Sequence, residues 1–432
     1  MKVFKFGGAC IQHPEAVRKL KQFIRSEQLH PLVIVVSAMG KTTEGLEKVF
    51  QQRLDAQPYD VAIQRLYRFH QEMIDHLLLT LRQEAYQALA LWKEKLVTTL
   101  SVPAIDASLD ELYSKIVAGG ELLASKLIYY YLQEQNVACA WLDARRCIKT
   151  NSRFCSAQID WATTQHWVKK SVNPLLEQNQ VVLTQGFIGS NEAGETTTLG
   201  KEGSDFTGAI LAAVLGAQSL TIWKDVPGIM SADPKLFKQA TKFDHISYEA
   251  MAEMAFYGAK VLHPKTIQPL AAHNIPLYVR PFHRPHEAGT EISHGFAQLE
   301  HPVYVLQKNQ GLVHLTKEHP TFFDEEYLKE VFHQLTQHNT HVNMLAKSAH
   351  TLSVCLNADS CRIRTLLTAL SKKFKVRYYA RVSLLTVIHQ EDNPPQPLLQ
   401  QKTILLAQQR EGIYQAVFQH EERVYKRTGD ML

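Results

Sequence analysis

Hydrophobic and polar positions alternate in blocks along the first two thirds of the chain. KVFKF is a short strand that stops at Gly7-Gly8. Over residues 14–27, Val17, Leu20 and Ile24 fall on one helical face. LVIVVSA at 32–38 is a continuous apolar run, the pattern of a parallel strand covered on both faces. Residues 60–100 predict a long helical region with Leu66, Phe69, Met73 and Leu77 on one stripe. Further strands are predicted at 137–142, 181–187, 219–223 and 275–279, with helices between them. This alternation predicts an α/β sandwich built on a mainly parallel sheet.

The pattern changes at 283–302. HRPHEAGTEISHGFAQLEHP is rich in Pro, Gly and His and reads as a connector. Beyond it the predicted strands are 311–316, 341–346, 350–356, 374–379, 382–388 and 413–419. Helices are predicted at 325–338, 360–373 and 399–408. The order β-α-β-β-α-β-β-α-β predicts small ferredoxin-like α+β units. QEDNPPQP at 390–397 reads as a solvated loop.

Composition narrows the function classes. The chain has 432 residues, 45% apolar and 21% charged, which is ordinary globular usage. Its net charge of +5 makes no case for a nucleic-acid binder. The start MKVFKFGGAC meets a glycine pair before any apolar core forms, so no secretory leader is expected. The uncharged run FTGAILAAVLGAQSLTIW is broken at Gly216-Ala217-Gln218-Ser219, and predicts a buried helix and strand instead of a membrane span. None of the six cysteines forms a CxxC pair, and the twenty histidines show no zinc spacing. His283 and His286 belong to the connector. A cytoplasmic enzyme with no membrane or nucleic-acid partner and no protein-bound metal is the expectation.

Candidate chemistry sits in turns that follow strands. Lys5-Phe6-Gly7-Gly8 brings a cation and a glycine pair, which lets backbone N–H groups approach an anion closely. Cys10 lies in the same loop, and reads either as a packed apolar residue or as a reactive thiol. Ser37-Ala-Met-Gly-Lys41-Thr42-Thr43 looks like a P-loop, but the position five before Gly40 is Val35, so Walker A is excluded. Thr196-Thr-Thr-Leu-Gly200-Lys201-Glu202-Gly203-Ser204-Asp205 opens a helix whose N-terminus suits an anion. A plain capped helix, with Ser204 or Asp205 as cap, reads equally well. Trp223-Lys224-Asp225-Val-Pro-Gly-Ile-Met230 runs on to Lys235, and Gly258-Ala-Lys260 adds another lysine at a turn. Ligands of open α/β sheets lie at the carboxyl ends of strands, and clustered lysines there suit a polyphosphate.

KFGGAC, VVSAMGKTT, GGELLASKL, TTLGKEGSDFTGAILAAVLGA, IWKDVPGIMSADP and EMAFYGAKVLHP occur in one order. Together they resemble aspartate kinase of the amino-acid kinase superfamily, in its monofunctional form, over about residues 1–290. The rest resembles the ACT-type regulatory units of that family. The resemblance implies a kinase domain at 1–297 and a tandem or intertwined regulatory region at 303–432. It implies Mg-ATP and L-aspartate as ligands, and 4-phospho-L-aspartate as product, the first step toward lysine, methionine and threonine. Lys5, Asp205 and Lys260 match catalytic positions. Lys5, Gly7, Gly8, Lys224, Asp225, Met230, Lys235 and Lys260 match nucleotide-binding ones. Ser37, Thr43, Glu121, Lys201 and Ser204 match positions around the amino acid. Glu121 also reads as a helix-start charge after Gly119-Gly120.

The departures from the family pattern are specific. Lys201 stands for the family's usual arginine, Glu202 for a glycine, and Lys224 for a frequent threonine. Lysine offers a point charge where arginine offers a rigid fork. Glu202 adds negative charge beside an acidic substrate. A weakly active amino-acid-binding regulator, and a kinase for another acidic amino acid, therefore stay open. The C-terminal region is expected to pair two copies. Val342–Ser348 keeps the family's effector-side turn, while the second unit lacks a glycine-rich opening, so weak regulation is expected.

Overall fold

The computed structural model describes residues 1–26, 31–103, 108–178, 181–259, 261–295, 299, 301–317, 325–338, 340–358, 360–389, 399–400 and 402–419. Chain contacts divide it into two units. The first is Met1–Ile229, Lys242–Ala252 and Val261–Ala297; the second is Met230–Thr241, Glu253–Lys260 and Gln298–Leu432.

In the first unit the elements run β1 (Lys2–Phe6), α1 (Pro14–Ser26), β2 (Leu32–Val36), α2 (Thr42–Leu54), α3 (Asp60–Leu77), α4 (Arg82–Ser101), α5 (Leu109–Glu134) and β3 (Cys139–Leu142). They continue through α6 (Trp161–Gln178), β4 (Val181–Gln185), β5 (Ile188–Ser190), β6 (Thr196–Thr198), α7 (Gly203–Leu215), β7 (Leu220–Lys224) and β8 (His245–Ser247). After α8 (Tyr248–Phe256) come α9 (Pro264–Ala272), β9 (Leu277–Pro281) and β10 (Thr290–Ser293). Eight strands form one sheet in the order β3-β4-β2-β1-β7-β9-β10-β8. All neighbours pair parallel except β9 with β10. The sheet is the mainly parallel one expected of the alternating pattern.

β2 is buried at every position, as a central parallel strand must be. The predicted helical region at 60–100 is two helices. The break at 78–81 is fixed by Glu134, whose carboxylate accepts from the N–H groups of Leu79 and Leu81 and from the Thr80 hydroxyl. A cap supplied 53 residues downstream leaves no local sequence signal. The run 205–224 is helix α7, a left-handed turn at Gly216 (φ 61°) and strand β7. No helix among the described residues is long and apolar enough to cross a membrane.

The second unit holds β11 (Val303–Thr316), α10 (Glu325–Gln337), β12 (Val342–Lys347), β13 (Thr351–Asn357), α11 (Ser360–Leu370), β14 (Lys375–Ile388), β15 (Thr403–Arg410) and β16 (Ile413–Gln419). They form an antiparallel sheet ordered β12-β13-β11-β14-β16-β15. Two expectations are corrected. The strands at 374–379 and 382–388 are one strand, β14, kinked where Arg381 takes φ 55°. The helix at 399–408 is instead β15, paired antiparallel with β16. Its half-exposed residues lack a clean alternation, and pairing outweighs the helix preference of Leu, Ala and Gln. The segment 230–241 belongs to this unit: the Ser231 carbonyl accepts from Tyr304 N–H at 2.7 Å, and Phe237 stacks on Tyr304 at 5.8 Å. The predicted loop at 390–397 lies outside the described residues.

Candidate active site

The sheet register brings the candidate turns together. Lys5 pairs with Val35 of β2 on one side and Ile222 of β7 on the other. The carboxyl ends of these three central strands therefore adjoin, carrying Gly7-Gly8, Ser37–Gly40 and Lys224. Gly8 is demanded by packing: a Cβ there would lie 2.7 Å from the Ala38 carbonyl and 2.9 Å from that of Gly40. Gly40 N–H donates to Gly8 O at 3.1 Å and locks the two turns.

Asp205, in the first turn of α7, is the centre of the charge arrangement. Its carboxylate bonds Lys5 Nζ at 2.6 Å and Lys224 Nζ at 2.9 Å. Lys224 also donates to the Val261 carbonyl. Lys5 and Asp205 are both buried. Burial alone would raise the Asp205 carboxyl, but the ammonium groups of Lys224 and Lys5 outweigh it and hold the carboxyl below its ordinary range. Burial would likewise discharge Lys224; Asp205 and then Glu202 reverse this and hold its proton more tightly.

Glu121 lies mid-way along α5 and not at a helix start, so the helix-end reading is corrected. Gly120 lets the helix approach, since a Cβ there would touch Ala38 at 3.0 Å. Glu121 Oε1 accepts from Ala38 N–H at 3.3 Å, while Oε2 is buried without a partner. Burial pushes this carboxyl up to about 8. A buried, half-satisfied carboxylate at a strand end is well suited to a cationic ligand group.

The cap expected at Ser204 or Asp205 is corrected. The cap position of α7 is Glu202, in the left-handed region at φ 55°, with no side-chain cap bond. A non-glycine residue there costs about 1 kcal/mol. Glu202 Oε2 is buried and unpartnered. Burial raises this carboxyl, and Lys224 counters that most strongly. Lys201 is exposed and Ser204 buried. Gly186, at the end of β4, packs directly on Ser204: a Cβ there would come within 2.5 Å of the serine Cβ.

Cys10 is buried, and its thiol donates to the Trp223 carbonyl at 3.3 Å. Burial pushes the thiol up to about 12, against the lowering pull of Lys5. The packed reading of Cys10 therefore holds and the reactive one fails. Of the other candidates in this unit, Ser37 on the turn after β2 and Thr43 in the first turn of α2 are half-buried, and Asp225 after β7 is exposed. Met230 and Lys235 belong to the segment grouped with the second unit. Lys260 lies outside the described residues. Sequence reading missed two features: that Asp205 bridges two lysines, and that Glu202, half-buried overall, has its Oε2 atom enclosed. Neither has a local signal, because the partners come from β1, α7 and β7.

Comparison with known proteins agrees with this architecture. A model of the amino acid kinase family matches residues 1–281. Lysine-sensitive aspartokinase 3 of Escherichia coli (strain K12) is 32% identical over 405 residues, covering 89% of this chain and 86% of that one. The structure of E. coli aspartokinase III in complex with aspartate and ADP (R-state) superposes with a TM-score of 0.82 at 27% identity, covering 97% and 95% of the two chains. The same protein in complex with lysine and aspartate (T-state) gives 0.76 at 28% identity, with the same coverage. The chain belongs to the amino acid kinase family and, within it, to the aspartokinases.

Proposed function

We infer that this chain transfers the γ-phosphoryl group of ATP to the β-carboxylate of L-aspartate, forming 4-phospho-L-aspartate and ADP. Its family membership and its likeness to an aspartokinase crystallised with aspartate and ADP support this. The observation that carries it is the Lys5–Asp205–Lys224 bridge, centred on the buried Asp205, beside the Gly7-Gly8 turn. A carboxylate is already a nucleophile at neutral pH, so no base is needed. Catalysis is then positioning and neutralisation of charge on the transferred group.

In this reading Asp205 holds two ammonium groups in fixed places, and Lys5 and Lys224 offer their remaining protons to phosphoryl oxygens. The backbone of Gly7 and Gly8 cradles the phosphates. Asp225 completes nucleotide binding in this unit. Glu121 receives the substrate's ammonium group, while Ser37, Thr43, Lys201 and Ser204 hold its carboxylates. Glu202 does not leave the site net acidic, because Lys224, another departure from the family pattern, supplies the opposing charge. The Asp205 carboxylate already faces two ammonium groups, those of Lys5 and Lys224. The residues thus fit a magnesium ion that arrives on the nucleotide phosphates, where it supplies charge neutralisation.

Residues 1–297 act as the kinase domain and 303–432 as a regulatory region of ACT type, pairing two copies of a cytoplasmic enzyme of amino-acid biosynthesis. The experiment is ADP release from Mg-ATP with L-aspartate, L-glutamate or no acceptor. Aspartate-dependent release supports the reading. Equal release with glutamate favours another acceptor, and no release favours a regulator.

A further inference from the structure

A second cavity of about 730 Å³ opens in the first unit, away from the Asp205 site. Helices α4 and α5 and edge strand β3 line it. Helix α5 divides the two places: Gly120 and Glu121 face the turn after β2, while Gly119, Leu123 and Lys126 line the cavity. Its walls are Trp92, 8% exposed, and Trp141. The Trp92 indole N–H finds no acceptor among the described residues. Gly119 leaves that N–H uncovered, since a Cβ there would lie 2.9 Å from Trp92 Nε1. The N–H is therefore open to the cavity and free to meet a ligand acceptor.

The charge is also one-sided. The lining carries four cations, Lys95, Lys115, Lys126 and Arg145, against Glu94 and Asp143. Arg145 is held by Asp143 at 2.6 Å and Lys115 by Glu111. Lys126 has no carboxylate among the described residues; its ammonium lies over the Trp141 ring, 4.4 Å from the centroid. Burial lowers its proton affinity, a cost that an anion would relieve. Volume, ring walls, an open N–H and an unneutralised ammonium are the parts of a small-molecule site.

We propose that this cavity binds a planar-ring molecule bearing one acidic group, with its acid on Lys126, which lies over Trp141, and an acceptor on the Trp92 N–H. The test uses the full chain and 8-anilinonaphthalene-1-sulfonate, with neutral N-phenyl-1-naphthylamine as the uncharged arm. Calorimetry and tryptophan energy transfer should report one saturable sulfonate site per chain. Lys126→Gln should weaken sulfonate binding at least about fivefold and leave the neutral compound unchanged. Trp92→Phe, which keeps the ring and removes the N–H, should weaken it by a smaller factor. Aspartate turnover should be unchanged in both variants. If Lys126→Gln does not fold, Trp92→Phe and the exposed Lys95→Gln make the same test. Affinity unchanged in all variants would overturn the proposal, as would equal binding of the neutral compound.

Discussion

Asp205→Asn removes one charge and leaves two ammonium groups, one buried and one half-buried, without their shared counter-charge. In the wild type, Asp205 accepts from Lys5 at 2.6 Å and Lys224 at 2.9 Å, and only 2% of its side chain is exposed. Solvent screening is therefore small for Asp205. Lys224, with 19% of its side chain exposed, is screened more. Breaking a buried pair by deleting one partner costs about 3–5 kcal/mol. The amide can still accept one bond and its NH₂ opposes the other lysine, so the lower half of that range, about 3–4 kcal/mol, is expected. Urea unfolding at pH 7.5 should show this loss in the transition of the first unit. The pH dependence follows from the sign of the shift. The folded Asp205 carboxyl sits below its unfolded value, so its contribution is present above about pH 4 and is lost as pH falls through the folded value. The difference between wild type and variant should thus shrink on acidification. If the lysines also lose their placement toward the phosphoryl group, about 3 kcal/mol at the transition state lowers kcat/KM by about 10²-fold. A variant with wild-type stability and turnover would refute the claim that Asp205 organises the site.

The remaining predictions concern single groups. Because burial pushes Glu121 up to about 8, the free enzyme holds it mostly protonated at pH 7. The kcat/KM for aspartate should rise with pH through about 8, and Glu121→Gln should abolish that rise; a Glu121→Gln profile that keeps it would reject the assignment. Lys201→Ala should raise the aspartate KM more than the ATP KM, by roughly 10–100-fold for one charged hydrogen bond of about 1.5–3 kcal/mol; an effect on the ATP KM alone would move Lys201 to the nucleotide side. Iodoacetamide at pH 8 should not inactivate the enzyme through Cys10, whose thiol is buried and pushed up to about 12; inactivation abolished by Cys10→Ser would contradict this. Light scattering should give twice the chain mass for the full protein and a single chain for one ending near residue 300; a dimeric truncation would place the pairing surface elsewhere.

Much of the fold was legible because local pattern and tertiary role agree. LVIVV reads as a buried strand and is one, and Gly216 reads as a break and takes the left-handed turn. The failures arise where distant residues decide. The break between α3 and α4 is held by Glu134. Strand β15 exists because β16 lies beside it. In the site, the strand-end turns were visible from their glycines and lysines. The bridge at Asp205 was not, since Lys5 stands two hundred residues upstream and only the sheet register brings it there. Glu202 was legible as a departure from the family's glycine, but its left-handed backbone and the burial of its Oε2 needed the fold.

The central claim is that the Lys5–Asp205–Lys224 bridge serves phosphoryl transfer to aspartate. Hydroxylamine trapping of the acyl phosphate tests it most directly, with purified protein, Mg-ATP and saturating L-aspartate. The account predicts aspartyl-β-hydroxamate formed in step with ADP, far less product with L-glutamate, and loss of product in Lys5→Ala. ADP release without hydroxamate, or hydroxamate formed undiminished by Lys5→Ala, would contradict it.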